Sequence, residues 1–452
     1  MFPEVPYQLQ MAPGCCHVLR CRPHHPKARE NPLMADKERN VLIPLPAGGL
    51  ENIGSGPKSI LSGMVSDALA LARMREKSLA EKRFRIGDYE FRDPDYRQIL
   101  IWAKALEIEP EVFIRSFEDD SFSQDGNVLR LDVEDGSIVL LQWDFDIFPI
   151  SSFEWVDGLR IQQLGFKGIA SAELSLRLPL LNCLDCHDIG LTKLDLSNLP
   201  ELTYLECGDN QLVELDLLNV PGLTDIYCSN NQLVKLDLSN VPKLTQLLCE
   251  NNQLTQLDLS NVLGLTLLWC SSNSLIELNL SNVQKLTDLW CSTNQLTELD
   301  LSDVSGLKEL HCNENQLVEL DLSNVPELTE LNCDNNQLTE LDLSNVSKLK
   351  HLRCQKNQLA KLDLSNVPGL TGLDCSNNQI VKLDLANVQR LIGIFCGKNQ
   401  LAELDLSNVP GLTTLWCRSN PLAELDIRWL VKLKRFACDP SVTLQKLPTQ
   451  NF

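Results

Sequence analysis

A long α/β solenoid with a parallel β-sheet along its concave face is the fold this 452-residue chain predicts, and three observations predict it. Cysteine stands at Cys186, Cys207, Cys228, Cys249, Cys270, Cys291, Cys312, Cys333, Cys354, Cys375, Cys396, Cys417 and Cys438, an unbroken interval of 21 residues. Around these cysteines runs one apolar frame, L-x-x-L-x-C-x-x-N-Q-L-x-x-L-D-L-S-N-V-P-x. Asparagine follows three residues after Cys in eleven consecutive units, from Asn210 to Asn420. A fixed period of this kind marks one structural unit repeated, and no single unit can bury its leucines until neighbours stack on it.

Each element follows from the frame. In L-x-L-x-C the side chains alternate, so Leu, Leu and Cys point inward and the x positions point out of the sheet. The asparagine turns inward where the chain leaves the strand, and its amide can donate and accept across adjacent turns. Twenty-one residues leave no room for a full helix on the convex side. Short extended or 3-10 segments are expected there, with the S-N-V-P stretch turning the corner.

This frame resembles the leucine-rich repeat family, with cysteine in the last apolar slot of its strand signature. The 21-residue period with one cysteine per turn is similar to the cysteine-ladder repeats of internalin J-like bacterial proteins. The resemblance covers residues 181–441 and implies a horseshoe or arc of about 13 turns. It also implies a protein that is commonly bacterial and binds other macromolecules, sometimes of a host, so a secreted effector or surface-type virulence protein is the alternative reading.

The cysteines themselves read as packing. Side chains in a parallel, in-register column point alike rather than toward one another, which suits neither serial disulfides nor a tetrahedral metal site. A buried cysteine otherwise behaves as a small hydrophobe. Cys183 and Cys186 are separated by an odd number within a strand, so one faces out and the other in. Nine residues after each Cys stands an acid column, Asp195 to Asp426, interrupted by Asn279. Either calcium or a local Asx-turn would satisfy it. Asn279 lacks the charge a calcium row uses, which favours the turn. Two residues earlier, a column of mixed sign (Lys193, Glu214, Lys235 and onward) reads as a solvated face.

Function is expected where the repeat stops repeating. The outward residue just before each Cys gives Tyr227, Leu248, Trp269, Trp290 and His311 on five successive rungs, a ribbon about 20 Å long. Leu267 widens it sideways. A second patch combines Arg353, Phe395, Trp416 and Arg418. Exposed aromatics and arginine are enriched in protein interfaces. Asp225, Glu250, Asp288 and Glu309 ring the first patch, so the partner that fits has an apolar spot and a basic rim. Aromatic stacking alone and cover by a flanking region or a second copy of the protein are the competing accounts.

The formal net charge of −21 argues against binding a nucleic-acid backbone or anionic lipid. No apolar run approaches a membrane span, and the start lacks a signal-peptide pattern. Those features predict a cytoplasmic chain, although a specialised secretion system would leave no readable signal. No nucleophile–base pair, metal set or phosphate loop stands out, so the chain reads as a non-enzymatic, protein-binding scaffold without cofactor.

Residues 1–57 read as leader and linker, with Met34 as a candidate start. Cys15, Cys16, His17, Cys21, His24 and His25 lack a recognised zinc spacing. Residues 58–119 read as a small helical region, with Asp93 as N-cap before Pro94 and the same logic at Glu109 and Pro110. This region faintly resembles a DNA-binding helix-turn-helix, though an adaptor role fits its mixed charge better. Residues 120–180 read as an N-terminal cap of degenerate repeats, and residues 442–452 as a tail.

Overall fold

The computed structural model describes residues 83–117, 130–144, 155–168, 173–448 and 450, which belong to one compact unit, Ala68–Phe452. The leader with Met34, its Cys/His cluster and the helical reading of residues 58–82 lie outside the described residues. Thirteen three-residue strands, from Cys183–Asp185 to Arg435–Ala437, stack in parallel at one strand per cysteine. The register is strict: Leu247 faces Leu268, then Leu289, then Leu310, each inward and fully buried.

Three strands extend this sheet at its N-terminal end. We label them β3 (Arg130–Glu134), β4 (Ser137–Asp144) and β5 (Gln163–Lys167). β5 pairs in parallel with the first rung and with β4, and β3 closes the edge antiparallel. Before them come a hairpin, β1 (Arg83–Ile86) and β2 (Tyr89–Arg92), and two helices, α1 (Asp93–Ala105) and α2 (Pro110–Arg115). The hairpin corrects the all-helical reading of this stretch. Two alternating segments flank Gly87–Asp88, and Gly87 takes φ 58°, which a two-residue turn requires. Asp93 is likewise the first residue inside α1 rather than its cap. Arg92 holds the cap position in extended conformation, and Asp93 pairs with Arg97 at 2.8 Å.

The helices seat on the sheet through an aromatic core in which the Trp102 ring lies 5.3 Å from Trp143 and 5.9 Å from Phe113. Two buried polar groups fix the register. Asp95 accepts the Ile138 N–H at 2.9 Å, and Gln98 accepts the Val156 N–H at 2.7 Å. No helix among the described residues is long and apolar enough to cross a membrane.

Inside the array, four ladders run along the stack. The asparagine ladder is the most completely bonded. Asn294 donates to the carbonyls of Cys270, Cys291 and Ser292 and accepts the Leu275 N–H, so one side chain ties two turns. The same pattern recurs from Asn210 onward. The acid column is satisfied locally. Each member, Asn279 included, accepts the backbone N–H two residues on, as Asp300 does from Ser302 at 2.9 Å. These bonds favour the charged form and hold carboxyls such as Asp300 and Asp321 below the usual range.

A third ladder escaped the sequence reading. Thr224, Thr245, Thr266 and Thr287 each donate a hydroxyl to the carbonyl of the matching residue one turn back, at 3.0–3.1 Å. The convex side holds successive i→i+3 turns, such as Val220 N–H to Leu217 and Leu223 N–H to Val220, within otherwise extended chain.

The cysteine column is the fourth ladder. Twelve of its members, Cys186 through Cys417, are buried, while Cys183 and Cys438 are half-buried. Burial without a cationic neighbour pushes the thiols up, to about 12 at Cys228. The twelve are therefore expected to resist a disulfide reagent in the native chain at pH 8, and all seventeen cysteines to react in denaturant. Rapid native labelling of any of the twelve contradicts the packing role.

Immediately before each ladder asparagine the backbone turns left-handed. Eleven non-glycine residues, Asp209 to Ser419, sit there at φ 52–62°, and Asp188 before Ile189 does the same at 51°. Asn and Asp tolerate this region, whereas β-branched Thr293 (φ 53°) does not. Thr293→Asn is expected to raise stability by about 1 kcal/mol, read from the urea midpoint. An unchanged or lower midpoint contradicts that strain.

Candidate functional site

The outward column is built by strand register. Leu248 lies beside Trp269, Trp269 beside Trp290, and Trp290 beside His311. At this spacing flat side chains stack. The Trp269 and Trp290 rings lie 4.3 Å apart at 15°, and Trp290 meets His311 at 4.5 Å and 35°. The ribbon is consequently half-buried, less wet than a row of isolated aromatics, because each ring covers its neighbour. Both indole N–H groups are shielded from solvent and have no hydrogen-bond partner. Buried Trp N–H usually finds an acceptor, so the middle of the ribbon carries a polar deficit that the fold does not explain.

Tyr227 extends the ribbon differently. Its hydroxyl donates to Gln246 at 2.8 Å, and its ring meets Tyr204 edge-on at 5.3 Å. Tyr204 was missed because it stands two positions earlier in its strand, in the outward column that also holds Leu267. The second patch is less contiguous than its sequence suggests. Phe395 and Trp416 touch at 5.3 Å and Trp416 is exposed, but Asp374 occupies the rung between Arg353 and Phe395. Arg418 donates to the Cys438 carbonyl at 3.2 Å, which directs it toward the last rung. His311 is half-buried, and burial lowers its pKa, so the ring is neutral at pH 7.

No protein-family model and no curated protein matches the chain. Among solved structures, the functional domain of InlJ from Listeria monocytogenes, which includes a cysteine ladder, matches with a TM-score of 0.61 at 35% identity. The match covers 63% of this chain and 64% of that one, so this chain spans less than two thirds of that domain. The chain has a leucine-rich repeat fold with a cysteine ladder, as that domain has. A second internalin of Listeria monocytogenes, inlF, matches over 58% of this chain and 81% of its own at 29% identity and a TM-score of 0.53. The leucine-rich effector YopM from Yersinia pestis shares the fold, at 23% identity and a TM-score of 0.53 over 78% of this chain and 98% of its own.

Within this leucine-rich repeat array, carboxylates on the sheet face are unusually placed. Burial pushes Glu206 and Glu250 up to about 7 and Asp334 to about 6. Burial and the neighbouring Asp288 and Glu330 also raise Glu309. A carboxyl raised on folding stabilises fully below its ordinary pKa, and that contribution disappears as pH rises through the folded value. Turn aspartates such as Asp300, Asp321 and Asp363 are lowered, so their contribution is present above their ordinary pKa and disappears as pH falls. Thermal stability is therefore expected to peak near about pH 5 and to decline toward pH 8 and toward pH 3, with Glu206→Gln flattening the upper limb. A melting temperature that climbs steadily from pH 5 to 8 contradicts this.

Proposed function

We propose that this protein is a non-enzymatic scaffold that holds a protein partner across the concave face, with Tyr227, Leu248, Trp269, Trp290 and His311 as the main contact. The observation that carries the reading is the run of apolar and aromatic residues on five successive rungs at a position the repeat leaves free. Asp225, expected in the rim, is buried, while Glu250, Asp288 and Glu309 flank the ribbon half-buried, so a partner surface with an apolar centre and a basic rim fits best. Phe395, Trp416, Arg353 and Arg418 form the subsidiary contact. Binding of this kind needs no cofactor and no membrane insertion.

The test is affinity capture with the wild-type chain beside Trp269→Ala/Trp290→Ala and a convex-side control, Val318→Ser. The double variant is expected to lose at least about 100-fold in affinity for the partner the wild type recovers. The control is expected to retain it. Equal recovery by the double variant contradicts the reading.

A further inference from the structure

The leucine-rich repeat array is electrically polar along its axis. Residues 181–342 carry 26 acidic and five basic side chains, whereas residues 348–446 carry eight acidic and fourteen basic ones. Two features of opposite character stand in these two parts, and neither lies in the aromatic ribbon.

The first is a groove of about 1270 Å³ that crosses six successive turns, from Gln256 to Asp363. Its floor is a leucine row, Leu257 to Leu341, each 6–7% exposed where the sheet-side leucines are fully buried. Its walls are the two columns flanking that row, most acidic at the Glu-Leu-Asp triplets 298–300, 319–321 and 340–342. The aspartates are engaged in their turns. The glutamates Glu298, Glu319 and Glu340 are exposed and make no ion pair among the described residues.

The second is the stretch 428–435, R-W-L-V-K-L-K-R. In the eleven preceding turns the position of Trp429 is Asn ten times and Asp once. Here it is a tryptophan 55% exposed, followed by Val431 at 70%. Arg428, Lys432, Lys434 and Arg435 surround them, all exposed, with no acid in the stretch. Beside it, Asp426 takes both arms of Arg428, so the one acid next to the stretch is already paired. An exposed indole surrounded by cations is complementary to an apolar slot with acidic walls.

We propose that the basic, apolar stretch Arg428–Arg435 of one chain docks into the leucine-floored acidic groove of a second copy. The two surfaces differ, so the contact is heterologous, and each chain offers one stretch and one groove. Such contacts propagate into open chains or close into rings. Single surface charge pairs contribute little, so specificity rests on the Trp429 side chain, and encounter rests on the opposed charges, which salt screens.

Sedimentation analysis of the full chain over a concentration series tests this. The wild type is expected to gain mass with concentration at low salt and to lose that gain at high salt. Two variants isolate the surfaces. Trp429→Asn restores the residue of the other turns. Glu298→Lys/Glu319→Lys/Glu340→Lys places lysine where Lys193, Lys235 and Lys361 already occupy the same column, so the fold accommodates it. Each variant alone is expected to be weakened in self-association by at least about tenfold. An equal mixture is expected to form dimers and nothing larger, because the intact groove of one variant meets the intact stretch of the other. A wild type that stays monomeric throughout, association that salt leaves unchanged, or either variant assembling like the wild type overturns the proposal.

Discussion

Replacing Asn294 with alanine is expected to destabilise the chain by about 3 kcal/mol or more, because four backbone groups lose a buried partner at once. The three carbonyls it serves belong to two turns, and the Leu275 N–H accepted at 3.0 Å has no water to turn to. Asn294→Asp separates the two roles. It keeps an acceptor for Leu275 but sets a carboxylate against three carbonyl oxygens, so its penalty should ease when the group is protonated at low pH. Stability in a repeat array is a sum of turns and the interfaces between them. Loss of one interface in the middle is therefore expected to split urea unfolding into two steps. A penalty under about 1 kcal/mol with a single transition contradicts the ladder's role as the tie between turns.

Cys312→Leu tests the neighbouring ladder. The Cys312 side chain is fully buried between those of Cys291 and Cys333, and turns repeat at about 4.8 Å. A leucine there adds bulk on a column that every turn shares, and overpacking of this kind costs about 1–3 kcal/mol. Cys312→Ala leaves only a small void and is expected to cost about 1 kcal/mol. The order Leu worse than Ala, measured by denaturant midpoints, is the signature of a spacing element. A leucine variant as stable as the wild type contradicts it.

The legibility of this chain follows from repetition. Cysteine, leucine and asparagine sit at positions whose environment recurs on nearly every turn, so identity alone reveals role. The turn aspartates were equally readable, because Asn279 in their column can make the local bond and not the ionic one. The left-handed column was hidden because Asp, Asn, Ser, Thr, Glu and Lys all occupy it, and a φ angle leaves no trace in so mixed a set. Tyr204 stands in an outward column whose next members are mostly polar (Asp225, Gln246, Asp288, Glu309), so no aromatic run marks it in the sequence. The hairpin at 83–92 is charged and aromatic, and its short alternation is outweighed by the helix-start signal that follows it. The groove was read as a solvated face because a one-dimensional column of mixed charge conceals the three turns on which every wall residue is acidic.

The claim at the centre of this account is that the concave ribbon is where the partner sits. Hydroxyl-radical footprinting of the wild-type chain, alone and saturated with its captured partner, tests it most directly. The predicted result is loss of oxidation at Trp269, Trp290 and Trp416 on adding the partner, with Trp429 unchanged. Protection confined to Trp429 or to convex residues such as Val213 and Val318, with Trp269 and Trp290 oxidised as before, would contradict it.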